Sequence, residues 1–426
     1  MRPSLASALS FLLALVTAAP ALATGVTVRG TELLLDGVPF VPNGAAGTQR
    51  LSDLKATGAT VIRTYGQDPG EILDSAQRAG LKVIVGFWLE HPRRGFNYGD
   101  RAAAEGQLAE LQRMVERYRT HPALLLWGLG NEVETELTAA EAEPVWPALE
   151  QAAKLVKSLD PAHPVMAVLA DTGTDKVEIL KRLAPSIDVL GLNAYGDSLL
   201  TIVGRARSQG WTGPIIITEL GAIGQWQAGK TAWGAPIEPT STAKADQMRR
   251  YLTVLKQSHT GALPFYWGQK QEVTPTWHSL FLPTGEWTEA VEAMADSWGG
   301  QPPAGPKSRP DAKLPVGVNH APRILSFKLD GPSSFDRNAG ARVALSATDP
   351  DGDPLKVEWQ ITGETKVRGV GGDAEPVPPL FPEALHEPTP NGVRIQGLDA
   401  GHYRVFVIVR DGRGAAATGN IPIEVR

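Results

Sequence analysis

The feature that most constrains this chain is one run, Leu124-Leu125-Leu126-Trp127-Gly128-Leu129-Gly130-Asn131-Glu132. Seven apolar or small residues in a row match a strand buried on both faces of a parallel sheet. The run then stops at an amide and a carboxylate. Burying an unpaired carboxylate costs several kcal/mol or keeps it protonated, so Glu132 has no place inside such a core. A polar pair at the C-terminal end of a buried strand is where barrel enzymes hold their chemistry. A second run of the same shape, Pro214-Ile215-Ile216-Ile217-Thr218-Glu219, also ends on a carboxylate.

The rest of residues 24–298 alternates strand and helix. Strands are expected at 40–44, 60–65, 82–88, 124–132, 165–169, 187–192, 214–219 and 262–267. Helices fall at about 51–56, 71–79, 101–118, 143–158, 176–183, 199–208, 242–256 and 287–298. Eight such units specify an α/β fold, a (β/α)8 TIM barrel, with an opening hairpin from 26 to 35 closing its lower end. A Pro/Gly-rich linker over 299–319 follows, and residues 320–426 carry short alternating strands expected of a small all-β immunoglobulin-like sandwich. Within the sandwich, Asp349, Asp351 and Asp353 put three carboxylates in five residues, either a Ca²⁺ site or a solvated turn. The single tryptophan there, Trp359, alternates onto the core side, so a spacer or stability module is expected rather than a sugar-binding face.

Residues 1–23 read as a signal peptide: Arg2, an apolar stretch from 9 to 16, and Ala21-Leu22-Ala23. The apolar stretch is too short to span a bilayer, and a secreted or periplasmic location is expected. The chain has no cysteine, which excludes disulfides and a cysteine nucleophile. A net charge of −5 without a basic run argues against nucleic acid as a partner. The eight histidines show no metal-ligand spacing, and no phosphate loop, dinucleotide fingerprint or Gly-x-Ser-x-Gly occurs, so neither a catalytic metal nor a cofactor is expected.

Glu132 and Glu219 end strands four and seven, on opposite sides of an eight-stranded mouth. Two carboxylates facing one another there suit glycosidic bond hydrolysis, which needs an acid for the leaving oxygen and a carboxylate near the anomeric carbon. Like charges that close push one pKa upward. Arg63 on strand two and Tyr195 on strand six can favour and orient a carboxylate, Asn193 ends at the same level, and Trp267 on strand eight offers an apolar floor. Glu90 ends strand three, either as a substrate contact or in a rim salt bridge with Arg93 or Arg94. Trp226 and Trp233, in the loop after Glu219, form sugar platforms or pack that loop down. Glu134 and Glu136 lie past the strand and are expected to be solvated.

Gly-Asn131-Glu132 ending strand four and Thr-Glu219-Leu-Gly ending strand seven resemble glycoside hydrolase clan A, the retaining (β/α)8 glycosidases. Residues 61–69 and 79–85 are similar to the family 2 catalytic barrel and to the β-1,3-glucanosyltransferases. The cysteines common in the transferases are absent, and the sandwich domains that precede a family 2 barrel are not read in this sequence. The resemblance implies Glu132 as acid/base, Glu219 as nucleophile and Asn131 holding the 2-hydroxyl of the reacting sugar. It also implies Arg63 and Tyr195 holding Glu219, and Trp267 lining the floor. The expected function is an exported retaining glycosidase or transglycosylase acting on an oligosaccharide or polysaccharide with β linkages, such as a β-glucan. The alternative is a barrel that binds glycan without turnover. The oligomeric state is left open.

Overall fold

The computed structural model describes residues 25–303, 318–370 and 372–426; the leader over 1–23 and most of the 299–319 linker lie outside them. Three short antiparallel strands come first, β1 (Val26–Arg29), β2 (Glu32–Leu35) and β3 (Val38–Pro39). The barrel strands follow: β4 (Gly44–Ala46), β5 (Val61–Arg63), β6 (Lys82–Phe87), β7 (Leu124–Leu129), β8 (Val165–Ala170), β9 (Val189–Tyr195), β10 (Ile215–Gly221) and β11 (Gly261–Pro264). They lie in one parallel sheet in chain order. Trp267 N–H donates to Ala46 O at 2.9 Å, just past β11, and joins the two edges. The result is a (β/α)8 barrel.

Strand periodicity explains both its interior and its mouth, because residues i, i+2 and i+4 share a face. Along β9, Leu190, Leu192 and Ala194 face the surrounding helices. The other face reads Val189, Gly191, Asn193, Tyr195, apolar at the bottom and polar at the top. Val61, Ile84, Leu126, Met166, Val189, Ile216 and Leu263 fill the lower interior, and Val26 and Leu33 from the opening strands plug it from below. Above that layer the inward positions turn polar, and there the site lies.

The first barrel strand departs from the expected 40–44. Phe40 still belongs to the plug, its N–H donating to Leu33 O at 2.8 Å, and pairing with β5 begins only at Gly44. Gly44 passes so close to β5 that a Cβ would sit 1.7 Å from Val61 O.

Residues 323–425 form two four-stranded sheets. One has the order β12 (Arg323–Leu329), β14 (Ala341–Thr348), β17 (Gly392–Ile395), β16 (Leu385–Thr389). The other runs β13 (Ser334–Phe335), β19 (Ala416–Val425), β18 (Gly401–Arg410), β15 (Lys356–Gly363). Their inward residues make one core that includes Trp359, whose indole N–H donates to Thr389 O at 2.9 Å. In the acidic turn, one carboxylate oxygen each of Asp349, Asp351 and Asp353 lies within 4.8 Å of the others. Asp349 accepts from the backbone N–H groups of Asp351 and Asp353, and Arg413 pairs with Asp353 at 2.9 Å.

The β-sandwich is packed onto the barrel. Buried Arg404 pairs with Glu364 at 2.9 Å and donates to Pro236 O, while Asn420 donates to Glu238, itself paired with Lys244 at 2.5 Å. Backbone bonds link Trp287 to Gly414 and Ala416. The sandwich is therefore more than a spacer. No helix among the described residues is long and apolar enough to cross a membrane.

Candidate active site

The site stands on the upper, polar layer of the barrel. Two local distortions aim its carboxylates. The first is at the end of β7, where Gly130 (φ 67°) and Glu132 (φ 53°) both adopt left-handed backbone. A side chain at Gly130 would meet Val133 Cγ2 at 2.6 Å, so only glycine fits. A left-handed Glu is strained by about 1–3 kcal/mol and persists only where its surroundings hold it. Here the N–H groups of Gly130 and Glu132 donate to Phe87 O (2.9 Å) and Val168 O (3.0 Å), on the strands to either side.

The second distortion is a register shift against β9 between Ile217 and Glu219. By alternation Thr218 faces inward and Glu219 outward; the bulge re-aims Glu219 so that both face the barrel axis. Thr218 Oγ1 donates to Asn193 Oδ1 at 2.8 Å. Glu219 is buried and accepts three bonds: Arg63 Nη1 (3.2 Å) and Tyr65 OH (2.8 Å) on Oε1, and Tyr195 OH (2.9 Å) on Oε2. Three donors and no acceptor suit an ionised carboxylate, which can only accept. Burial, and then the charge of Glu219, hold the Tyr65 and Tyr195 hydroxyls well above the usual tyrosine range, so both stay protonated as donors.

Glu132 is placed differently. Asn193 Nδ2 donates to its Oε1 at 2.8 Å. Removal from water, and secondarily the charge of Glu219, raise its pKa to about 8, against the lowering effect of the Asn193 bond. Arg63 and the two asparagines join the carboxylates in one network. Arg63 Nη2 and Asn193 Nδ2 both donate to Asn131 Oδ1, at 2.7 and 3.0 Å. Asn131, Glu132, Asn193, Tyr195 and Glu219 thus line one cleft of about 810 Å³.

Other expected site residues are placed as follows. Trp226 lines the same cleft, 55% exposed, with its edge toward Tyr195 at a ring separation of 5.2 Å. Trp233 stacks on His402 of the sandwich instead. Trp267 is a correction: it is fully buried on the outer side of the barrel wall, edge-on to Phe281 at 4.8 Å, and lies outside the cleft. Strand β11 ends at Pro264, and Phe265 and Tyr266 line the cleft in its place.

Glu90 is also corrected. Its side chain is exposed, it does not line the cleft, and Arg93 and Arg94 pair with Asp373 of the sandwich instead. Glu134, expected in solvent, is buried, accepting from Ala170 N–H (2.9 Å) and pairing with Lys176 (3.0 Å). Glu136 is exposed and lines the cleft.

The sequence reading passed over Tyr65 as a site residue, although it stands two positions after Arg63 and so on the same face. It also missed Glu272, a further carboxylate in the cleft. Burial opposes ionisation of Glu272, but bonds and charges from His278 and Lys270 hold its pKa far below the usual carboxylate range; Lys270 Nζ lies 2.8 Å away. Trp88 lines the cleft with Arg94 above its ring at 5.2 Å. His91, stacked on Trp88, is kept neutral by burial and by Arg93 and Arg94, its pKa falling to about 4.

Residues 93–225 match the glycosyl hydrolases family 2, TIM barrel domain. Over 193 residues, 40% of this chain, the sequence is 28% identical to a β-glucuronidase of Chlorocebus aethiops and covers 27% of that protein. It is 29% identical to the mannan endo-1,4-β-mannosidase F of Aspergillus clavatus over 33% of this chain and 36% of that one. The chain spans about a third or less of the β-glucuronidases it matches in sequence. Among solved structures, the β-D-glucuronidase of Dictyoglomus thermophilum superposes with a TM-score of 0.52 at 19% identity, over 65% of this chain and 53% of that one. Bacteroides uniformis β-glucuronidase 2 gives 0.51 at 14% identity, over 94% of this chain and 48% of that one. The barrel is thus similar in sequence over residues 93–225 to the family 2 TIM barrel domain, and in fold to the solved β-glucuronidases.

Proposed function

We propose that this chain is an exported retaining β-glycosidase that cleaves β-linked uronides by double displacement. Glu219 attacks the anomeric carbon while Glu132 protonates the departing oxygen, and a water then attacks the glycosyl-enzyme as Glu132 takes its proton. One observation carries this reading. Two carboxylates share a cleft, one held by three donors and the other raised to about 8. The first accepts from donors alone, as suits a nucleophile, and the second is raised enough to keep its proton at neutral pH. Forming the covalent bond removes the negative charge on Glu219, one of the two chief causes of the raised Glu132 value. Glu132 then becomes more acidic in time to act as the base.

Support for a uronide over a β-glucan comes from the printed names of the β-glucuronidase relatives and from Arg94, Lys230 and Lys270 in the cleft wall. The leader pattern at residues 1–23 supports export, and the two four-stranded sheets around Trp359 support an immunoglobulin-like sandwich.

The test is a panel of 4-nitrophenyl β-glycosides (glucuronide, galacturonide, mannoside and glucoside) with β-mannan and β-glucan alongside. The glucuronide or galacturonide should give the highest kcat/KM. With Glu219→Ala, added sodium azide should restore turnover and yield the α-glycosyl azide. Preferred release from β-mannan or β-glucan would overturn the substrate assignment. Absence of any azide product would overturn the nucleophile.

A further inference from the structure

Residues 364–370 and 372–379 leave the sandwich after β15 and return to its end, where Gly363 N–H donates to Pro379 O at 3.0 Å and Thr362 bridges Leu380. Closed at its base, the loop is fastened at its tip to the barrel rather than to its own domain. Arg93, after β6, donates to Val370 O at 3.0 Å and pairs with Asp373 at 3.2 Å, and Arg94 pairs with Asp373 as well. Arg368 donates to Gly234 O at 3.1 Å, in the loop after β10. Glu375 accepts from Val273 N–H (2.6 Å), after β11, and from Gly369 N–H (2.7 Å) within its own loop. The loop thus joins the segment after β6 to the neighbouring segments after β10 and β11, across the barrel mouth.

Its inner face meets the cleft. Arg368, Gly369, Val370 and Gly372 line the same cavity as Glu132 and Glu219. Arg368 has one carbonyl partner and no carboxylate among the described residues, and exposed Lys230, beside the same 231–235 turn, has no ion-pair partner among them. Cations left without a counter-charge in a cleft are free to bind hydroxyl or carboxylate oxygens of a sugar. Asp373 also fixes Arg94 above Trp88, so the loop reaches an aromatic surface of the site as well. At about 810 Å³ the cleft lies toward the upper end of the ~300–1,000 Å³ typical of small-molecule pockets, with room beyond one reacting ring.

We propose that the sandwich loop is a wall of the substrate site, and that Arg368 is a specificity-determining residue contacting the glycan beyond the reacting ring. This rests on the glycosidase reading above. The second domain is then part of the enzyme's selectivity and not only a brace.

The experiment compares full-length wild type, Arg368→Ala and Arg368→Gln on two substrates, 4-nitrophenyl β-D-glucuronide and a tetrasaccharide with a terminal β-glucuronic acid. Turnover of both by the wild type is established first, which tests the glycosidase reading separately. Both Arg368 variants should lower kcat/KM on the tetrasaccharide about 10-fold or more, mainly through KM, and on the aryl glucuronide less than about threefold, as expected for losing a charge-assisted bond. Lys366→Ala, an exposed residue of the same loop outside the cleft, should keep the wild-type ratio of the two substrates. Equal loss on both substrates, or an unchanged ratio with a lowered Tm, would overturn the proposal and leave the loop a purely structural clasp.

Discussion

Replacing Glu219 by Gln removes one negative charge and leaves the cleft otherwise nearly the same shape, so it isolates how the acid is tuned. The Glu132 carboxyl stands at about 8 because it is withdrawn from water and because it faces Glu219. Retaining enzymes hold such pairs about 5–5.5 Å apart. At that spacing and an effective dielectric of about 20, two unit charges repel by roughly 3 kcal/mol, or about 2 pKa units. In Glu219→Gln the Glu132 value should therefore fall to about 6, and burial, the larger cause, should keep it above an ordinary glutamate. The assay is a pH titration of the Glu132 carboxyl carbon by ¹³C NMR, with Glu132→Gln identifying the resonance. In the wild type, protonated Glu132 is the working form, so kcat/KM should fall on the alkaline side as pH rises through about 8. The same sign governs stability. Glu132 binds its proton more tightly folded than unfolded, so its contribution is full below the ordinary glutamate range and is lost as pH rises toward 8. An unchanged Glu132 titration in Glu219→Gln would refute the idea that the two carboxylates sense one another.

Two further outcomes follow from the geometry. Tyr65→Phe removes the 2.8 Å donor to Glu219 Oε1 without removing the ring beneath Arg63, and should lower kcat/KM about 10–100-fold with Tm nearly unchanged; kinetics and a thermal melt on one preparation check both. Trp267 and Trp226 should separate cleanly. Trp267→Ala, in the barrel wall, should cost about 3–5 kcal/mol in urea unfolding, while Trp226→Ala, standing in the cleft, should raise KM and leave the unfolding midpoint in place.

Much of the barrel was legible because its signals are local. The helices at Arg101–Tyr118 and Lys176–Leu183 fall on the expected residues, and the β7 run is buried throughout. Asn131, Glu132 and Glu219 were legible because an amide or a carboxylate has no place inside a buried apolar run. What the sequence hid depends on partners distant along the chain. The bulge that turns Glu219 inward is a register shift against β9, and no residue type marks it. Trp267 was assigned to the floor because β11 was read as running to 267; it stops at Pro264, and the indole lies against Phe281 on the far side of the wall. Glu134 reads as a loop carboxylate until Lys176 and the Ala170 amide are brought against it. The reach of residues 364–370 and 372–379 over the barrel mouth is likewise set by Arg93, Arg94 and Gly234, more than a hundred positions earlier in the chain.

The central claim is that Glu219 becomes covalently bound to the sugar while Glu132 handles the proton. The most direct measurement uses a 2-deoxy-2-fluoro-β-glucuronyl fluoride, which forms the glycosyl-enzyme quickly and releases it slowly, followed by proteolysis and mass spectrometry. The account predicts a single added fluorosugar on the peptide containing Glu219, and none after Glu219→Gln. Label on Glu272 or on Glu132, or slow turnover of the reagent with no label on the chain, would contradict it.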